Sequence, residues 1–153
     1  MGAMATDRSY VTQNDAERAR LEALVQRCTD AELARPMPAG WTVAGVLAHL
    51  AFWDERVRIL FERWEKTGTA PAAEVDADID WINDAAKPMF LAMPSRRAAE
   101  LAVEIARATD RAVEMLSDDM LARNAAAGSP LNLVRAEHRR EHVDEIERTL
   151  RRG

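Results

Sequence analysis

The chain has 153 residues, 48% hydrophobic and 31% charged, which is enough apolar material for the core of one ordinary domain under a charged surface. Its formal charge of −5 and its lack of a long basic run argue against nucleic acid as a partner, because phosphate binding needs clustered Lys and Arg. No apolar run approaches the roughly 18–20 residues that span a bilayer, "MGAMATDRSY" lacks the apolar stretch of a signal peptide, and a lone cysteine excludes an internal disulfide, so the expected setting is cytoplasmic with no membrane partner.

Residues 1–3 read as a cloning remnant ahead of Met4, and residues 1–153 as a single domain. Gly and β-branched residues are sparse and nothing alternates with period two, so helices are expected throughout. The first predicted helix runs from Asn14 to Leu33, with Thr12 or Asn14 as its cap. Leu21, Leu24, Val25 and Cys28 form its buried stripe, which makes Cys28 a small core residue. "RPMPAG" ends it, because prolines cannot donate helical hydrogen bonds. The second follows Thr42 as N-cap and reaches Lys66. Val43, Val46, Leu50, Trp53, Val57, Leu60, Phe61 and Trp64 cover one of its faces. From Asp76 to Met93 the spacing of Ile79, Ile82, Ala86 and Phe90 is helical but Pro88 interrupts it, so a short, kinked crossover helix is expected. The third long helix follows Pro94-Ser95 to Ser117, with Ala98, Leu101, Ile105, Ala108, Ala112 and Met115 as its seam. The fourth runs from Pro130 to Arg151, capped by Ser129. Its Arg residues interleave with acids and read as a solvated face. The sum is an all-α four-helix bundle with an extra short helix in the crossover between the second and third long helices.

The chain's three histidines are His49, His138 and His142. On a helical wheel His138 and His142 lie in the centre of the side that carries Leu131, Val134, Ile146 and Thr149, while Leu133 and Val143 fall away from it. Imidazoles four residues apart can reach one cation at about 2.0–2.1 Å. His49 lies at the edge of the second helix's apolar face, nearer its N-terminus than the mid-helix pair. Spacing alone leaves two readings: a shared metal, or buried histidines satisfied by hydrogen bonds. Burying two adjacent imidazoles without a shared partner costs about 1–3 kcal/mol per unsatisfied group, which favours the first.

Two other metal motifs fit less well. "HRREH" matches the inverted zinc-protease pattern with Glu141 as base, but the eleven residues after His142 continue the same helix and cannot return a third ligand. A ferritin-like di-iron site needs Glu three residues before each His, and Arg135 and Arg139 stand there.

"GWTVAGVLAHLAFWDERV" resembles the start of the second helix in the DinB-like superfamily, where a Trp-Ser/Thr opening precedes a His-Leu pair. "EHRREHVDEI" resembles that superfamily's last helix, and "LSDDML" also falls in order. The resemblance covers almost the whole chain. It implies a four-helix bundle that binds one divalent metal, often zinc or nickel, through His49, His138 and His142. It implies a homodimer, and in some relatives a transferase or isomerase using a low-molecular-weight thiol. The related maleylpyruvate isomerases carry a second domain and tend to read Glu-x-x-x-His, so their substrate is not transferred here.

Three protein ligands leave one position for chemistry. The expected function is therefore metal-dependent transfer of a small thiol onto a small-molecule electrophile. The alternatives are a non-catalytic metal-binding or stress-response module and a metal-free dimeric helical protein. Around the histidines, Trp53 is read either as a cavity wall or as core packing. Arg135 either meets an acidic substrate at the cavity mouth or points outward. Glu141 either transfers protons or makes an exposed ion pair. Trp41 anchors a helix start, and Gly45 marks close approach of a ligand or another helix.

Overall fold

A computed structural model describes residues 6–72 and 76–152; the remnant expected at residues 1–3 lies outside them. Helix α1 spans Ser9–Arg27, five residues earlier at its start than the wheel predicts, and Asp7 Oδ1 accepts the Ser9 amide hydrogen there. It stops at Arg27 because a new helix, α2 (Asp30–Leu33), opens with a capping box. Thr29 Oγ1 accepts from the Glu32 amide, and Glu32 Oε1 accepts from the Thr29 amide. Strands β1 (Pro36–Met37) and β2 (Trp41–Thr42) then pair antiparallel around the turn at Pro38–Gly40. Helix α3 (Val43–Thr67) starts on the predicted cap, with the Gly45 amide donating to Thr42 Oγ1, and ends at Gly68 in the left-handed conformation.

Three elements differ from expectation. The crossover helix α4 (Asp76–Ala92) has 17 residues rather than a short run, and it continues through Pro88. Its Ala86 and Phe90 pack into the core, and this tertiary anchoring outweighs the hydrogen bond that the proline cannot make. After α5 (Ser95–Glu114) comes an unforeseen helix, α6 (Asp118–Ala126), with Ser117 Oγ capping the Met120 amide. The last helix, α7 (Ala136–Arg151), begins six residues later than Pro130, and Ser129 adopts a φ of 57° instead of capping it. The cap comes from α1: the Ala136 amide donates to Asn14 Oδ1 at 2.9 Å. Asn14, expected to cap its own helix, thus closes a distant one.

Helices α1, α3, α5 and α7 form the bundle, with α4 against α3 and α2 against α5. The buried face of α5 is Ala98, Ala99, Ala102, Ala106, Thr109, Asp110 and Val113, so the predicted seam is rotated away from the core. Met115 is 76% exposed. Small alanines let α3 and α5 approach closely, and two polar residues outside the predicted seam, Thr109 and Asp110, are buried with them.

Those polar residues belong to a layer. One apolar cluster holds Leu21, Leu24, Leu50, Ala106, Val143 and Ile146; another holds Tyr10, Val57, Val113, Leu116 and Leu131. Between them along the four bundle helices lie Asn14, Asp54, Thr109, Asp110 and Arg139, all buried.

Candidate metal centre

Helix α3 brings His49 into place two turns after its cap, with the Trp41 ring edge-on to the imidazole at 5.7 Å between centroids. Gly45 faces α4. A Cβ there would lie 2.9 Å from Leu91 Cδ2, so Gly45 marks the close approach of another helix. His138 and His142 occupy the first two turns of α7, not its middle, because residues 130–135 are not helical. Both histidines come level with His49, their ring centroids 5.0 and 4.9 Å from its own.

The three rings meet at their Nε2 atoms. His138 Nε2 lies 3.1 Å from His49 Nε2 and 3.0 Å from His142 Nε2. One nitrogen from each ring falls within 4.8 Å of the other two, a grouping suited to one metal ion. Glu145 Oε2 sits 3.2 Å from His142 Nδ1, so the carboxylate accepts the Nδ1 hydrogen and leaves the Nε2 lone pair facing His138. A neutral imidazole has one ring hydrogen, and His138 Nε2 cannot satisfy both neighbours by ordinary hydrogen bonding. A shared cation accepts all three lone pairs. Burial, with His142 next in effect, lowers the pKa of His49 to about 4 and of His138 to about 2. Both are therefore neutral at pH 7, the form a ligand requires. His49 Nδ1 is buried with no partner among the described residues, so no protein acceptor fixes its tautomer. The donor set of three imidazoles fits a divalent transition-metal cation, for which imidazole is a suitable ligand.

Behind the histidines, the ionic layer locks α7 to α3 and α5. Arg139 Nη1 and Nη2 donate to Asp110 Oδ2 and Oδ1 at 2.8 and 2.7 Å, a two-pronged contact. Arg139 Nη2 also donates to Asp54 Oδ2 at 3.0 Å, and Arg135 Nε to Asp54 Oδ1 at 2.8 Å. Arg139 is wholly buried, which corrects the reading of the α7 arginines as a solvated face. The core-facing stripe of α7 is Ala136, Arg139, Val143 and Ile146. His138 and His142 flank this stripe instead of centring it, and Val143, expected to fall away, is in the core. Asp54 and Asp110 were not singled out in the sequence, and Arg139 was noted only as the residue three before His142. The available signal was an acid on each apolar stripe, Asp54 between Leu50 and Val57 and Asp110 between Ala106 and Val113.

The histidines open onto a cavity of about 560 Å³, also lined by Trp41, Trp53, Asn83, Arg135 and Glu141. Trp53 is both wall and core: it is buried, and its Nε1 donates to Asn83 Oδ1 at 2.8 Å. Arg135 reaches the cavity, yet it is buried and its charge is matched by Asp54, so it neither points outward nor stands free for an acidic substrate. Glu141 is exposed at the cavity, and among the described residues no ion pair engages it. No described helix is long and apolar enough to cross a membrane.

The family model described as the DinB superfamily matches residues 13–146. No curated protein and no solved structure matches the chain.

Proposed function

The chain belongs to the DinB superfamily, and from that premise we propose that it is a cytoplasmic, divalent-metal-dependent thiol transferase acting on a small electrophile. The observation that carries the reading is the meeting of His49, His138 and His142 Nε2 in the wall of an open cavity. These three residues would hold zinc or nickel. When bound there, the cation supplies Lewis acidity, which lowers the pKa of a coordinated thiol.

The remaining work falls to the chain's own side chains. Glu145 keeps the His142 hydrogen on Nδ1. Trp41 and Trp53 give the electrophile an apolar surface and displace water from it. Glu141 is within the same cavity and takes the proton that the thiol releases. The sulfur lone pair forms the new C–S bond as the bond from carbon to the leaving group, or to an epoxide oxygen, breaks.

The reading extends to a homodimer. Phe52 and Ile59 of α3 are exposed beside Leu101 and Ile105 of α5, leaving an apolar strip that a second copy would cover. An antiparallel approach centred on Ile59 sets Glu55 opposite Arg63 of the other copy. Ile59→Arg should then yield monomers in sedimentation equilibrium.

The direct test begins with elemental analysis of protein purified without added metal, which should find close to one zinc or nickel per chain. His138→Ala should lose it. The loaded protein should then conjugate a small thiol to a haloaromatic or epoxide, and chelation should stop the reaction. Inert protein with intact metal would favour the non-catalytic metal-binding module.

A further inference from the structure

Arg135 sits at the N-cap of α7, three residues before His138, and lines the histidine cavity. Only 4% of it is exposed. Its Nε donates to Asp54 Oδ1 at 2.8 Å, and among the described residues that is its side chain's one hydrogen bond and one ion pair. A guanidinium carries the rest of its N–H donors on Nη1 and Nη2, so those two nitrogens have no protein acceptor. They are not sealed in either: His49 Nδ1 is the one buried side-chain nitrogen or oxygen without a partner among the described residues. Nη1 and Nη2 therefore touch open space, and the open space against this side chain is the cavity. Arg139, one turn on, shows the contrast. Its Nε, Nη1 and Nη2 are all engaged, by Asp54, Asp110 and the Asn14 carbonyl. Arg135 is held by the Nε side of its planar fork, with both prongs left over.

Asp54 answers the charge of Arg135 and leaves most of its donors unused. The other charged side chains of the cavity wall are Glu137, Glu141 and Glu145, so an anion gains little at this fork. We propose that Nη1 and Nη2 of Arg135 donate to an uncharged oxygen acceptor of the substrate, a carbonyl or nitro oxygen, whose apolar body lies against Trp41 and Trp53. The inference rests on the reading of this cavity as the working site, and it names the group that orients the electrophile there. Such an oxygen activates the carbon it is conjugated with, and the electron density it draws meets N–H groups that Asp54 already fixes in place. No new charge enters the fork, so the buried ion pairs stay intact.

Isothermal titration of the full chain, with metal content measured in each preparation, separates the oxygen from the shape. The probes are acetophenone, α-methylstyrene, in which a methylene replaces the carbonyl oxygen, and benzoate. Corrected for each probe's partition into octanol, acetophenone should bind about tenfold more tightly than α-methylstyrene, the scale of one hydrogen bond from a charged donor. Benzoate should bind more weakly than acetophenone. Arg135→Lys keeps a positive charge for Asp54 and removes the fork, so the preference for the ketone should vanish there. It should persist in His138→Ala, which removes a ligand of the candidate centre and leaves Arg135. Where Arg135→Lys does not fold, wild type and His138→Ala still decide. Equal corrected binding of ketone and alkene, binding of neither, tighter binding of benzoate, or a preference that survives Arg135→Lys would overturn the proposal. So would a preference lost in His138→Ala, which would put the oxygen on the cation. If the ketone is preferred and no thiol is conjugated, the oxygen subsite stands and the thiol-transfer reading falls. If conjugation proceeds with no preference for the ketone, the reverse holds.

Discussion

Arg139 Nη2 donates to Asp54 Oδ2 at 3.0 Å in the centre of the bundle, and this contact ties the two halves of the candidate metal site together. Arg139 follows His138 by one residue, and Asp54 follows His49 by five. The rotation of α7 against α3, and with it the aim of the histidines, therefore rests on a buried charge pair. An apolar pair could fill the same space without fixing the rotation.

Asp54→Asn should accordingly destabilise the protein by about 3–5 kcal/mol, because it leaves Arg135 and Arg139 buried with too little negative charge. Urea unfolding measures this. A change near zero would mean that Asp110 alone compensates Arg139.

Asn14 provides a second link. Its Oδ1 accepts the Ala136 amide hydrogen and its Nδ2 donates to the Leu133 carbonyl at 2.8 Å. Asn14→Ala should cost about 1–2 kcal/mol by removing a helix cap and stranding buried polar groups. Hydrogen exchange should quicken first in the opening turn of α7, where His138 sits. Uniform acceleration along the chain would count against a local capping role.

These two residues also mark how far the sequence could be read. The apolar stripes of α1 and α3, the Thr42 cap and the four bundle helices follow from local rules, because each depends on neighbours three or four residues away. The start of α7 depends on a cap 122 residues upstream, which local rules cannot see. A wheel that treats Arg139 as solvated pushes the core stripe toward the histidines, while the ion pairs with Asp54 and Asp110 turn the helix the other way. The i,i+4 histidine pair was visible. Its level with His49 was not, because that depends on how α7 docks against α3 through the Asp54 ion pairs, which spacing along the chain does not show.

Metal removal gives a further measurement. A ligand that binds only the folded chain adds stability of RT ln(1 + [L]/Kd), about 2.7 kcal/mol when free metal is a hundred times Kd. Chelated protein should therefore unfold at a lower temperature than the same protein with one equivalent of zinc or nickel restored. In His142→Ala the two curves should move together, since one of the three converging nitrogens is gone. A metal-dependent shift that persists there would indicate binding elsewhere.

Acid should act on the metal-free protein through the same imidazoles. Burial lowers the pKa of His49 to about 4 and of His138 to about 2, each from 6.5. The unfolded chain therefore holds more protons than the folded one below about pH 6.5. Stability from these neutral rings is complete above that value and is lost as pH falls toward the folded-state values. Each histidine that gains a proton on unfolding contributes a slope of about 1.4 kcal/mol per pH unit. Between pH 6 and 5 the metal-free protein should weaken on this account, and His49→Gln, which removes one titrating ring, should show a shallower slope. Bound metal deepens the effect, since protons and the cation compete for the same nitrogens. A stability curve flat from pH 7 to 5 in the metal-free wild type would mean that water already reaches the rings and that their burial does not govern their protonation.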